Sequence, residues 1–125
     1  MPLNRDAFLS KKGRQYKTLN VPEFGEVRIQ SMTTSERANF ETSLTDKNGK
    51  QIRSVVKTMR ERMIIAHVVD ESNKLMFTLD DIEEISQIPA GPIDMIYDAC
   101  KRHSRFTDDG NFEDLEGNSE ETVDA

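Results

Sequence analysis

Lys17-Thr18-Leu19-Asn20-Val21-Pro22-Glu23-Phe24-Gly25-Glu26-Val27-Arg28-Ile29-Gln30-Ser31-Met32 decides the fold class, because its apolar residues recur at every second position. That period belongs to a half-buried strand. Leu19 and Val21, then Val27 and Ile29, with Ser31 in the same phase, alternate with Asn20, Glu26, Arg28 and Gln30. Pro22-Glu23-Phe24-Gly25 supplies turn residues between the two runs. The stretch is predicted to be a β-hairpin with one buried face.

Downstream the period changes to that of helices. Thr33 followed by Glu36 fits a capping box, in which each side chain satisfies a free backbone N–H near the other. It opens a helix over 33–44 whose apolar pair is Phe40 and Leu44. Asn48-Gly49 then breaks the chain. Between Lys50 and Val69 the residues Ile52, Val55, Val56, Met59, Met63, Ala66 and Val69 recur at threes and fours. One long helix is predicted there, with Arg53, Lys57 and Arg60 as a basic stripe on its other side. Leu75-Met76-Phe77 reads as a brief strand after the polar turn Asp70–Lys74. Thr78 starts an acidic helix directing Leu79, Ile82 and Ile85 inward. After Pro89, a last helix with Pro92 at its first position packs Ile93, Ile96, Tyr97 and Cys100. Asn4–Leu9 can form one helical turn before Gly13.

Charge divides the chain further. Its 125 residues carry 17 bases and 23 acids, a balance of −6. All eight acids of 107–125 stand without a base, so residues 1–106 hold seventeen bases against fifteen acids, or +2. Residues 1–17 hold Arg5, Lys11, Lys12, Arg14 and Lys17 against Asp6 alone. The expected organisation is a basic flexible arm at 1–16, one α+β domain at 17–106, and a disordered acidic tail at 107–125. The fold class is α+β and mostly helical, an N-terminal hairpin followed by about four short helices. Apolar content of 35% against 32% charged implies a thin core under a heavily charged surface.

Chemistry is sparse. A lone cysteine, Cys100, excludes an internal disulfide, and its helical setting suits a small buried hydrophobe. His67 and His103 have no partners at metal-ligand spacing. The acids of 80–84 decorate a helix start, where the dipole favours them. Asp108-Asp109-Gly110-Asn111 lacks the spaced ligands of a calcium loop. No phosphate-binding loop or nucleophile elbow is present, so no enzyme, cofactor or metal is expected. The near-neutral body argues against nucleic acid as the main partner. No apolar run has the length of a membrane span or the form of a secretion signal, which points to a reducing cytoplasm.

Several stretches resemble the tail assembly chaperones of long-tailed bacteriophages and prophages. They are Leu3-Asn4-Arg5-Asp6-Ala7-Phe8-Leu9, the hairpin through Val21-Pro22-Glu23-Phe24-Gly25-Glu26-Val27, and Ser31-Met32-Thr33-Thr34-Ser35-Glu36-Arg37. Val69-Asp70-Glu71-Ser72-Asn73-Lys74-Leu75-Met76-Phe77-Thr78 and the Ile88-Pro89-Ala90 break continue the likeness, which spans roughly residues 3–106. Asn73 stands where a turn glycine is expected. The resemblance implies a non-virion protein that keeps the tape measure protein soluble during tail morphogenesis in the bacterial host cytoplasm. In many members a frameshifted extension recruits the tail tube protein.

Phe8, Leu9, Met59, Met63, Met76 and Met95 are the apolar contacts such a role calls for, with Arg53, Lys57 and Arg60 as polar ones. Two alternatives stand beside it: a structural head–tail or tail-completion component, and a small nucleic-acid-binding regulator. Pairing of the hairpin edge with a second copy, giving a homo-oligomer, is open.

Overall fold

The computed structural model describes residues 2–11 and 13–105. The acidic tail and the Asp108–Asn111 stretch therefore lie outside the described residues. The fold is α+β, as expected. Its elements run α1 (Arg5–Leu9), β1 (Tyr16–Val21), β2 (Gly25–Gln30), α2 (Thr34–Thr42), α3 (Arg53–Val56), α4 (Met59–His67), β3 (Val68–Val69), α5 (Ile82–Ile85) and α6 (Ala90–His103).

β1 and β2 form the predicted hairpin, with Leu19 opposite Val27 and Val21 opposite Gly25. In its turn the Phe24 N–H donates to the Val21 carbonyl at 3.0 Å, and Glu23 sits in the left-handed region at φ 74°. Proline followed by a positive-φ residue is the pattern of a type II turn. The capping box is present too. Thr33 Oγ1 accepts from the Glu36 N–H at 3.1 Å, and Glu36 Oε1 accepts from the Thr33 N–H at 3.0 Å.

The single long helix over 50–69 is not what forms. It divides into α3 and α4 at Lys57–Thr58, and its last two residues leave helix altogether. Two causes act at the break. Ile52, Val55 and Val56 are β-branched and gain little from helix. The Thr58 hydroxyl donates to the Val55 carbonyl at 3.0 Å, and the Thr58 N–H bonds the same carbonyl at 3.1 Å, tightening the turn. Val68 and Val69 then pair with Ile29 and Arg28, making a three-stranded antiparallel sheet of order β1-β2-β3. Val69 is buried as the helical stripe required, but by a strand.

Three smaller expectations also change. Leu75–Phe77 contributes one bridge, Leu75 to Val69, and no strand of its own. Leu79 is 60% exposed, because Thr78 caps a tight 3-10 turn over Leu79–Asp81 that shifts the phase before α5. Ile82 is half-buried and Ile85 buried. Pro92 falls at the third position of α6, inside its first turn, and the N-cap is Pro89. First-turn N–H groups have no helical partner, so a proline there costs little.

The core lies between one sheet face and the helix pair α4 and α6. Val21, Ile29 and Val68 meet Met63, Ile64, Ile65, Ile93, Ile96, Ala99 and Cys100, with Ile85 closing one side. Burying side chains of this size stabilises by about 1.5–3 kcal/mol each before entropy is counted. Cys100 belongs wholly to this packing, and burial pushes its thiol up to about 12.

Candidate binding groove

One end of the sheet is open. A cavity of about 260 Å³ lies between the hairpin turn, α4, β3, the 76–77 segment, α5 and the middle of α6. Its floor is Ile64, Val68 and Ile96, and its lips are Phe24, Met76, Phe77 and Ile88. Phe24 and Met76 remain 43% and 51% exposed. Glu26 is the one charged residue of the lining.

Local sequence explains why each lip stands where it does. Pro22 and the left-handed Glu23 turn the chain so that Phe24 caps the hairpin end. On the far lip, Asp70 Oδ1 accepts from the N–H groups of Ser72 and Lys74 at 2.7 and 3.1 Å, folding an Asx-type turn. Asn73 completes that turn at φ 65°, as asparagine tolerates. Its Oδ1 also accepts from Arg28 Nε at 2.6 Å, tying the turn to β2. The Met76 N–H then donates to the Val68 carbonyl at 3.1 Å, fixing Met76 and Phe77 beside the sheet.

The cavity suits apolar side chains. It is smaller than the ~300–1,000 Å³ of ordinary small-molecule sites and lacks the converging polar groups that orient a substrate. A second cleft adjoins it, sharing Glu26 and Met76 and adding Asp70, Glu71 and Arg28. Arg28 is engaged, its guanidinium lying 4.8 Å over the Tyr16 ring and bonded to Asn73. The groove margin is therefore acidic.

The nine residues proposed from sequence scatter. Met76 lines the groove. Met95 is exposed on α6, next to Ile96 of the groove floor. Phe8 and Leu9 are exposed on α1. Met59 is half-buried. Met63 is fully buried and packs in the core. The basic stripe is broken by the α3–α4 division. Arg53 and Lys57 are exposed, while Arg60 donates to Asp94 at 2.5 Å and lies 5.5 Å over Tyr97. Sequence periodicity does not mark Phe24, Phe77, Ile85 and Ile88 as groove residues, since three of them lie in turns and loops and only Ile85 in a helix.

The opposite end of the sheet holds a polar junction. The Met63 carbonyl only accepts, so His67 Nδ1 carries the proton and donates to it at 2.8 Å. His67 Nε2 then accepts from Ser104 Oγ at 2.8 Å. Ser104 Oγ in turn accepts from the Met32 N–H at 3.2 Å, and its carbonyl accepts from Arg37 Nη1 at 3.1 Å. A serine hydrogen-bonded to a histidine resembles an activated nucleophile. Here burial drives His67 down to about 4, leaves it no solvent-accessible surface, and orients it by a carbonyl instead of a carboxylate. The pair is a structural tie.

The basic segment also joins the body sooner than expected. Arg14 Nη1 and Nη2 donate to the two Glu36 carboxylate oxygens at 2.5 Å, and β1 begins at Tyr16. Arg14 holds the Glu36 carboxyl down to about 2. His103 Nε2 donates to the Gln15 carbonyl at 3.1 Å, fastening α6 to the same segment.

Among the described residues no group of three or more His, Cys, Asp or Glu could hold a metal, and no helix is long and apolar enough to cross a membrane. No protein family, curated protein or solved structure matches the chain.

Proposed function

We propose that the protein is a tail assembly chaperone of a long-tailed phage or prophage. It binds the tape measure protein in the bacterial host cytoplasm and is left out of the finished virion. The observation that carries this is the open apolar groove at the hairpin turn, with Met76 on its lip, set in a highly charged surface. Methionine adapts to irregular partners, and a groove of this shape takes apolar anchors of a client segment. The chain's balance of −6 supports solubility of the loaded complex. The resemblance over residues 3–106 supports the tape measure protein as client, and the apolar lining of the groove suits a segment of it.

Co-expression tests the proposal. The soluble fraction of the tape measure protein should rise with the wild-type chain and fall back with Met76→Glu, which places charge on the lip. A tape measure protein whose solubility ignores the wild-type chain defeats the proposal. Mass spectrometry of purified particles separates the chaperone from a head–tail or tail-completion component, since the chaperone should be missing from them.

A further inference from the structure

α1 has no visible reason to exist on its own. It is five residues long and buries none of them. Helices this short are unstable in water without a packing partner. Yet its start is properly capped, with Asn4 Oδ1 accepting from the Ala7 N–H at 2.8 Å. Phe8 is 65% exposed, and Leu3 and Leu9 are exposed beside it. Arg5 and Lys11 flank these apolar residues, with Lys12 next in sequence; Asp6 is the one acid of the arm, and its exposed 3.4 Å contact with Arg5 is weak. The segment is a basic, amphipathic turn awaiting an apolar surface.

The groove has the complementary chemistry. Its walls are apolar, and the acids Glu26, Asp70 and Glu71 stand along it and its adjoining cleft. The one base there, Arg28, is committed to Tyr16 and Asn73. The sequence offers another apolar pair, Phe112 and Leu115, but Glu113, Asp114 and Glu116 adjoin it in sequence. Placing those acids beside Glu26, Asp70 and Glu71 sets like charges together, which is unfavourable. Charge selects the arm over the tail.

Tether length selects a second copy over the arm's own body. Arg14 is pinned by Glu36 and by the Ser31 carbonyl at the start of the hairpin, while Phe24 sits at its turn. The five steps from Leu9 to Arg14 reach at most about 17 Å. From Arg14 along β1 to Val21 at the turn is seven steps, about 23 Å of extended chain. In trans no such limit applies, and mutual exchange closes a two-fold dimer.

We infer that the basic arm of one copy docks in the apolar, acid-margined groove of a second. Phe8 and Leu9 occupy the groove, and Arg5 and Lys11 face Glu26, Asp70 and Glu71. This goes beyond the proposed chaperone role and stands without it, because it requires only that the groove binds protein.

The test uses full-length protein with a photo-crosslinking benzoylphenylalanine at position 8, prepared with ordinary and with 15N nitrogen and mixed in equal parts. Irradiation and mass spectrometry should join residue 8 to the 24–27 or 76–77 peptides, with mixed-isotope pairs about half of the total. Cross-links confined to same-isotope pairs mean that the arm folds onto its own body, and they overturn the inference. Cross-links elsewhere, or none, overturn it equally. Sedimentation without the probe gives a second check. The wild-type chain should self-associate at least about tenfold more tightly than Phe8→Asp, as loss of a central anchor implies. Its association should weaken with salt. Equal behaviour of the two chains contradicts the inference.

Discussion

The two ends of the hairpin are built from opposite materials. At the turn end, Phe24, Met76, Phe77 and Ile88 surround an accessible apolar groove, and few polar ties cross it. At the strand-start end, Arg14, Glu36, Met32, His67, Arg37 and Ser104 are joined by hydrogen bonds spanning up to 72 positions of sequence. The first end leaves apolar surface uncovered, which lowers stability and gives a partner something to bury. The second ties the segment after β2, α2, α4 and the end of α6 together at Ser104, whose hydroxyl serves Met32 and His67 and whose carbonyl serves Arg37. On the proposed function, stability and binding occupy separate places, and each should be open to damage without the other.

The largest effect should come from cutting the polar junction. His67→Ala removes a fully buried ring, leaves a cavity and takes away the acceptor of the Ser104 hydroxyl proton. A loss of about 2–4 kcal/mol is expected from those combined causes, read as a lower midpoint in urea unfolding. Groove binding by the surviving folded fraction should be unchanged. Met76→Ser should do the reverse. Half exposed and outside the main core, it should shift stability by no more than ~0.5 kcal/mol while client binding falls.

Acid should loosen the same junction. Burial lowers His67 from its ordinary 6.5 to about 4, so the folded state prefers the neutral ring. Between those values the unfolded chain binds a proton that the folded chain refuses. Stability from this group is therefore full above 6.5 and lost as pH falls toward 4, up to about 3 kcal/mol in all. The charged neighbours belong to the same end: His103 opposes the charged ring and Glu36 favours it. Glu36 itself, held at about 2 by Arg14, adds a loss at lower pH, as the medium falls from 4.5 toward 2. Unfolding free energy measured from pH 7.5 to 4 should slope in the wild type. The slope should flatten in His67→Leu.

Legibility in the sequence followed the range of the forces involved. The hairpin, the Thr33–Glu36 box and the left-handed Asn73 turn arise within a few residues, and their residue types announce them. The division at Thr58 came from a hydroxyl competing for a backbone carbonyl, which apolar spacing does not register. β3 arose because Val68 and Val69 found a partner in β2, thirty-nine or more positions away. Met63 kept the stripe spacing that marked it, but that spacing says only which face turns inward. Of the groove, Met76 alone was marked beforehand. Its other walls come from elements apart in sequence, and Ser104 carried no signal at all.

The smallest expected effect concerns the lip turn. Asn73→Gly relieves a left-handed backbone yet loses the 2.6 Å bond to Arg28. These exposed terms oppose each other, so stability should move by no more than ~0.5 kcal/mol. A change much larger than that in thermal unfolding would show that Arg28 and Asn73 hold the groove open.

Chemical-shift mapping tests the division of labour most directly. When a tape measure fragment is titrated into the 15N-labelled chain, the amides of Phe24, Val27, Met76, Phe77 and Ile88 should shift, while those of Met32, His67 and Ser104 stay in place. Shifts gathered at the His67–Ser104 end, or none anywhere, would contradict the account.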